Sequence, residues 1–480
     1  MDSTELNGDF HRQVKRSVAW ERESRSMDVE LGQAPQGAGE VDRVSRRATL
    51  AGGVMALAAG CALSACSAAP RPAAVVRPAR PPAEAAPIAP AQAAPEVLVA
   101  GEPLDTGLLR RFYARRGFEP VWTHREALAD SLARTVLRAG DHGLNPELFH
   151  ASLLQRRGTF PPDRRELLLT HAVLSYADAL AFGTVPPGRR EDNEALSPDP
   201  VDVAAVLEDA IRTPDPVAAI EALAPATPTY QALREALRKQ RPVGPAAMAR
   251  RRAMEVNLER QRWLPRDLPA DRVWVNVADQ RLVLYRDGQP VFATRVIVGN
   301  DAPRKQSPEF HAMIEASFLN PPWVIPADIV SAEILPLVRR DPDYLTKNNM
   351  VLRDNGEIEQ KPGPNAGLGL IMFDMPNRFD VYLHDTPDRH LFGRDNRRIS
   401  HGCIRVQNPI EFAALLMGQP VDAINRGIEA GSTTRQSLPA PVPVFVTYQT
   451  AFADKDGAVQ FRADFYNRDA KIWQQLQSRA

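Results

Sequence analysis

Cys403 is the only cysteine beyond residue 66 of a 480-residue chain, and it stands in Ser400-His401-Gly402-Cys403-Ile404-Arg405-Val406. A second polar cluster, Phe379-Asp380-Val381-Tyr382-Leu383-His384-Asp385-Thr386, lies upstream. If both segments are extended, alternation puts Phe379, Val381 and Leu383 on one face and Tyr382 and His384 on the other. In the second segment Ile404 and Val406 then face a core, while Cys403 and Arg405 face away. A thiol, an imidazole and a guanidinium on such faces suit covalent acyl transfer. The histidine takes the thiol proton to give a thiolate–imidazolium pair, and the cation of Arg405 favours the thiolate further. Gly402 allows close approach of a substrate, and the amides of Gly402 and Cys403 are candidate oxyanion donors.

Simpler readings exist for each residue. A lone cysteine is often an inert buried thiol, and His384 alone could be a satisfied core histidine. His401 is either a structural histidine bonded to a neighbouring carbonyl or an oxyanion contributor. A zinc site from Cys403, His384, His390 and His401 fits poorly, because structural zinc usually takes closely spaced pairs of ligands. Trp323 lines a pocket or packs in a core, with packing the default. Trp122 and Trp263 are core candidates, and His142 and His311 are simplest as structural or surface residues. The arginine pairs 339–340 and 397–398 could bind anionic glycan or carboxylates, with solvated surface charge the default.

The elements that must position this chemistry differ along the chain. Residues 99–245 carry helical periodicity, as in "GLLRRFYARRGFEPVW", where Leu108, Leu109, Phe112 and Tyr113 share one face. From 246 onward one more helix gives way to short strands. "RVWVNVADQRLVLYRDGQPVFATRVIVGN" predicts three, with turns at 278–280 and Asp287-Gly288. A closing hairpin is predicted around 454–457. A mixed segment of about 327–364 interrupts the strands and is a candidate capping lid. The predicted fold class is therefore α+β: a mainly β catalytic domain (246–480) with an inserted lid, preceded by an α-helical scaffold domain (99–245).

The N-terminal part reads as a disordered leader followed by an export signal, together 1–66. Arg46-Arg47 precede an apolar run that ends in Leu63-Ser64-Ala65-Cys66, the n-region, h-region and small-residue pattern of secretion. The paired arginines leave the twin-arginine and general routes both open. Cys66 stands where a lipobox cysteine is acylated, an anchor adding about 0.8 kcal/mol per buried CH₂; a transmembrane anchor or simple cleavage are the alternatives. A Pro/Ala-rich linker, 67–98, follows as a semi-rigid tether. Of the three cysteines, Cys61 would leave with the signal and Cys66 would become a thioether, so Cys403 would be alone in an oxidising compartment. Lys+Arg and Asp+Glu both total 59, a balance that argues against nucleic acid as partner.

The residues "YLHDTP…SHGCIRV" resemble the signature of L,D-transpeptidases with a YkuD-type catalytic domain. "NLERQRWLP", "VNVADQRLVLYRDG", "FLNPPWVIPADI", "PGPNAGLG" and "PVPVFVTYQTAFADKDG" are similar to the YcbB-like branch, as are "FYARRGFEPVW" and "HGLNPELF" of its helical scaffold domain. The resemblance spans roughly 99–465. It implies Cys403 as nucleophile and His384 as general base and acid, with the carbonyl of Asp385, not its side chain, orienting the imidazole. It further implies that Tyr382, His401 and the Gly402 and Cys403 amides shape the oxyanion pocket. Ser400 and Arg405 would support the site, Arg405 as a possible partner for a substrate carboxylate.

The reaction so implied is peptidoglycan 3→3 cross-linking between meso-diaminopimelate residues of tetrapeptide stems, in the periplasm, with no metal or other cofactor and with carbapenems as covalent inhibitors. Many relatives insert a peptidoglycan-binding module between scaffold and catalytic domains; here "YQALREALRKQR" runs almost directly into "PVGPAAMARRRAMEVNLERQRW". Three other readings stay open. The same chemistry could attach an outer-membrane protein to the wall or hydrolyse such a link, or the groove could hold stems without turnover. A cysteine peptidase of another fold would place a helix at the cysteine, whereas β-type residues follow Cys403.

Overall fold

The computed structural model describes residues 97–478; the segments read as leader and export signal, with Cys61 and Cys66, and nearly all of the expected 67–98 tether lie outside them. Leu108, Leu109, Phe112 and Tyr113 form the buried stripe of α1 (Thr106–Ala114), which begins where the Asp105 carboxylate accepts the Leu108 N–H at 3.0 Å. α2 (Glu126–Leu137) and α3 (Pro162–Phe182) follow, and α3 is buried on all sides from Leu168 through Leu174. Such a helix belongs at the centre of its domain, and α1, α2 and α4 (Val203–Ala210) pack around it. Trp122 is buried at its edge, donating Nε1–H to Thr170 at 2.9 Å.

Residues 240–244 link α5 (Pro228–Lys239) to α6 (Pro245–Arg262). The last turns of α6 are buried although they carry Glu259, Arg260 and Arg262. Each charge has partners. Arg262 meets Glu259 at 3.0 Å with both side chains fully buried, and Glu259 also accepts the N–H groups of Thr184 and Val185 at 2.7 and 2.8 Å. Arg260 reaches Asp469 at 2.5 Å, and Asn257 bonds Thr450. α6 is thus a polar joint between the helical and β regions. Breaking a buried pair leaves an uncompensated charge, at a cost of ~3–5 kcal/mol. Glu259→Ala is therefore expected to lower the thermal midpoint by roughly 6–20 °C; a shift under about 2 °C would remove this joint from the account of stability.

Beyond α6 the apolar period becomes two. In β1 (Arg272–Asn276) and β2 (Arg281–Arg286), Val273, Val275, Leu282 and Leu284 point inward with no exposed surface. Asp287 and Gly288, both with positive φ, turn β2 into β3 (Gln289–Gly299). The other strands of this sheet are β4 (Phe310–Leu319), β8 (Ile371–Asp374), β9 (Leu383–His384), β10 (Arg398–Ser400), β11 (Ile404–Val406) and β12 (Thr434–Thr447). Their order is β10-β3-β11-β9-β8-β4-β12-β1-β2, and β2 pairs again with β3, so the sheet closes on itself. The hairpin predicted around 454–457 joins Ala451–Ala453 to Val459–Phe461.

Inserted between β4 and β8 is the lid, whose sheet consists of β5 (Trp323–Val324), β6 (Met350–Leu352) and β7 (Ile358–Gln360) in the order β5-β7-β6. Its helical part contains a π-helical turn, Val330–Ile334. Ile325, Val330, Ile334, Met350 and Ile358 give the lid a small core of its own, and Trp323 packs on it. The molecule is α+β, with a mainly β region carrying an inserted lid and preceded by helices.

Two expectations need correction. Arg397 is buried, not solvated: its guanidinium donates to the carbonyls of Val296, Arg394 and Gln280 and pins the loop before β10. The strand expected from Phe379 is only two residues long. Asn377 bonds the backbone of Met375, Phe379 and Val381, and Asp380 takes a positive φ, so local side-chain bonds displace the ladder there.

Candidate active site

β9 and β11 run parallel, pairing Leu383 with Ile404 and His384 with Arg405. Leu383, Ile404 and Val406 enter the core with no exposed surface. The opposite face therefore carries His384, Arg405 and, one step before β11, Cys403. The Ile404 N–H donates to the Tyr382 carbonyl at 2.9 Å, which sets Cys403 beside Tyr382. His384 then lies two residues along on the neighbouring strand, a diagonal of roughly 8 Å between Cα atoms from strand spacing and rise. Side chains on that diagonal converge.

Burial governs the charge of both groups. His384 is held down to about pKa 3, first by loss of solvent and then by the Arg405 cation, while the carbonyls of Asp385 and Leu368 favour the protonated ring. Among the described residues, no acceptor of strict hydrogen-bond geometry reaches its Nδ1. The Cys403 thiol is pushed up by burial; the Tyr382 N–H and Arg405 act the other way. Burial works against the expected thiolate–imidazolium pair. Desolvation disfavours both ions, and Arg405 helps the thiolate while opposing the imidazolium. Loss of solvent thus favours the neutral forms of both groups.

The turn before Cys403 is held from inside. Ser400 is buried, donates its hydroxyl to the Cys403 carbonyl at 2.6 Å and accepts the Gly402 N–H at 3.2 Å. Gly402 has φ 124°, a conformation that L side chains rarely adopt. Because the Gly402 amide is taken by Ser400, the Cys403 N–H is, of the two amides expected to serve, the one left without a protein acceptor among the described residues. The expectation of two free oxyanion amides thus narrows to one.

Asp385 is buried and structural in its side chain, accepting the Leu370 N–H at 2.9 Å and Arg389 at 2.8 Å. Arg405 donates to Thr386 Oγ1 at 3.2 Å and approaches Asp388 at 3.4 Å, so part of its guanidinium is already engaged. Tyr382 is half-buried, its ring against the core of the sheet.

His401 points to the lid: its Nε2 lies 2.5 Å from Glu333 Oε1, which also meets Lys305 Nζ at 3.2 Å. Burial raises the Glu333 carboxyl, and bonds to His401 and Lys305 outweigh it, leaving the group below its ordinary range. Glu333 is 43% exposed, so this contact is worth little to global stability. Glu333→Gln is expected to leave the thermal midpoint nearly unchanged while hydrogen exchange quickens in 327–347 and not in the sheet. Equal exchange in both proteins would mean that the contact does not restrain the lid.

The structure thus brings Tyr382, His384, Asp385, Ser400, His401, Gly402, Cys403 and Arg405 together, whereas His390 lies in the loop after β9. It adds Glu333, the Leu368 carbonyl and, beneath the turn, Ser307. None of these has a local sequence signal: Glu333 is an acid in a mixed segment, and Ser307 lies in the loop before β4.

Comparison with known proteins gives two family matches: a Scaffold domain over residues 107–237 and the YkuD domain, an L,D-transpeptidase catalytic domain, over 270–432. A curated protein of Haemophilus influenzae, provisionally named an L,D-transpeptidase, is 27% identical over 400 residues, 76% of this chain and 78% of its own length. Among solved structures, the L,D-transpeptidase from Mycobacterium smegmatis is 13% identical, with 37% of this chain and 58% of that one covered at TM-score 0.20. The catalytic domain of an E. faecium L,D-transpeptidase acylated by ertapenem is 14% identical, with 38% and 98% covered at TM-score 0.20. Against the avibactam carbamoyl enzyme in the same set, this chain covers 49% of the solved chain's length.

Proposed function

The chain belongs to the L,D-transpeptidase family, and on that premise we propose that it forms 3→3 cross-links in peptidoglycan through a thioester on Cys403. The carrying observation is the parallel pairing of β9 with β11, which sets Cys403 and His384 on one face beside the lid. In the first step the Cys403 thiol attacks the carbonyl joining meso-diaminopimelate to the terminal D-Ala of a tetrapeptide stem. His384 takes the thiol proton and returns it to the departing amine, so D-Ala leaves and the thioester remains. The oxyanion is bound by the Cys403 N–H, and Arg405 lies near enough to steady the negative charge of the attacking sulfur. In the second step the side-chain amine of diaminopimelate on another stem attacks the thioester, and its proton passes through His384 to the departing sulfur, restoring the thiol.

Carbapenems would acylate the same thiol and remain attached. Export by the twin-arginine or general route to the periplasm, with acylation at Cys66, would place this chemistry at the wall, held to the outer membrane by a Pro/Ala-rich tether. Mass spectrometry of products from purified disaccharide tetrapeptides tests the reaction. Tri–tri dimers and free D-Ala are expected; products made only with water, or only with a protein amine, would move the assignment to hydrolysis or protein attachment. Intact mass of the exported protein tests the anchor, through the mass of acyl chains on a chain beginning at Cys66.

A further inference from the structure

Ser307 lies at the floor of the turn that carries Cys403, and nothing in the chemistry above uses it. Its side chain is fully buried. Its Oγ accepts the Gly299 N–H at 3.0 Å and donates to the Gly402 carbonyl at 2.7 Å. A hydroxyl has one proton, and the amide must donate, so the direction of both bonds is determined. The close approach depends on Gly299: a Cβ there would fall 2.0 Å from the Lys305 carbonyl and 2.7 Å from the Ser307 nitrogen.

We propose that Ser307 is a positioning residue for the oxyanion site, holding the Gly402–Cys403 peptide so that the Cys403 N–H faces the reacting carbonyl. The Gly402 carbonyl and the Cys403 N–H belong to one planar trans peptide, in which C=O and N–H point in opposite directions. Tying the oxygen to a buried hydroxyl inside the molecule therefore aims the hydrogen outward. The same bond polarises the peptide and makes its N–H a better donor. Gly402, at φ 124°, has the freedom to let that peptide rotate, so an external tie is needed to hold it.

Ser307 is itself held by the C-terminal segment, beyond residue 432 where the catalytic-domain match ends. The Ser307 N–H donates to the Tyr466 hydroxyl at 3.1 Å, and that hydroxyl donates to the Gly299 carbonyl at 2.6 Å. Arg468 donates to the Ser307 carbonyl at 3.1 Å and to Glu309 at 3.0 Å, with both charges buried. Residues far from the thiol in sequence thereby define where its oxyanion donor points.

This inference rests on the acyl-transfer reading of Cys403, and the test separates the two. Carbapenem acylation passes through a tetrahedral oxyanion; alkylation of the thiol by iodoacetamide does not. In the full chain, Ser307→Ala is expected to slow acylation roughly tenfold to a hundredfold, below the loss for deleting an oxyanion donor outright. Its alkylation rate, and the pH midpoint of alkylation, should stay within about twofold of wild type, and Ser307→Thr should restore acylation by returning the hydroxyl. Tyr466→Phe, which removes only the hydroxyl supporting Ser307, should slow acylation less and in the same selective way; it carries the test if Ser307→Ala does not fold. Acylation unchanged in these variants, or alkylation falling in step with it, overturns the role of Ser307. A wild-type chain that no carbapenem acylates would instead overturn the reading of Cys403.

Discussion

Cys403→Ala is expected to end both tri–tri dimer formation and the mass increase on carbapenem treatment, a loss on the order of 10⁴-fold or more for removal of a nucleophile. The same change should leave the fold almost intact. Cys403 is only partly buried, and the thiol's hydrogen bond to the Asp380 carbonyl, at 3.8 Å, is long. The thermal midpoint should therefore move by no more than the ~1 kcal/mol typical of a modest substitution. A variant that still yields dimers at a tenth of the wild-type rate would show that the thiol is not the nucleophile. Persistence of the adduct would place acylation elsewhere.

His384→Ala is the second large effect. Removing the group that shuttles the proton should cost 10²–10⁴-fold in acylation at neutral pH, by the usual worth of a positioned acid–base residue. The wild-type pH profile is the more telling measurement. A free histidine would lose its basic form near pH 6.5, but burial and Arg405 hold His384 down to about 3, and burial lifts the thiol above its usual value. Acylation should therefore stay flat from about pH 5 to pH 8. A tenfold fall with its midpoint near 6.5 would mean that the imidazole becomes solvated during turnover.

The sign for stability follows from the same displacement. Between about pH 3 and 6.5 the unfolded chain binds a proton at this histidine that the folded chain does not. Stability is thus fully present above pH 6.5 and declines as the pH falls toward 3. His384→Ala should lack that part of the slope in a denaturation series, alongside whatever the loss of a buried ring does to the midpoint itself.

Much of this site is written locally in the chain. Alternation in "CIRV" and "YLHD" places thiol and imidazole opposite the core, because the period of a strand is a property of the backbone alone. The helical region, the run of strands and the lid between them were legible for the same reason. The glycine before the cysteine was legible too, since only a few residue types accept its backbone angles.

Three things depended on the folded molecule. The strand before His384 shrank to two residues, because Asn377 bonds its neighbours more closely than the ladder can. The pull of burial on both groups was not legible, since the ionisation of a thiol or imidazole depends on how much water the surrounding chain removes, and that is a sum over distant segments. The oxyanion amide was decided last: Ser400 withdraws one donor, and Ser307, supported by Tyr466 and Arg468, aims the other. The sequence determined which groups are available for chemistry and on which face they stand; tertiary structure decided how far each is removed from water, which are already bonded and which way the remaining N–H points. Local pattern encodes direction along the chain, whereas desolvation and the bonds that fix the turn also draw on residues 95 to 161 positions apart.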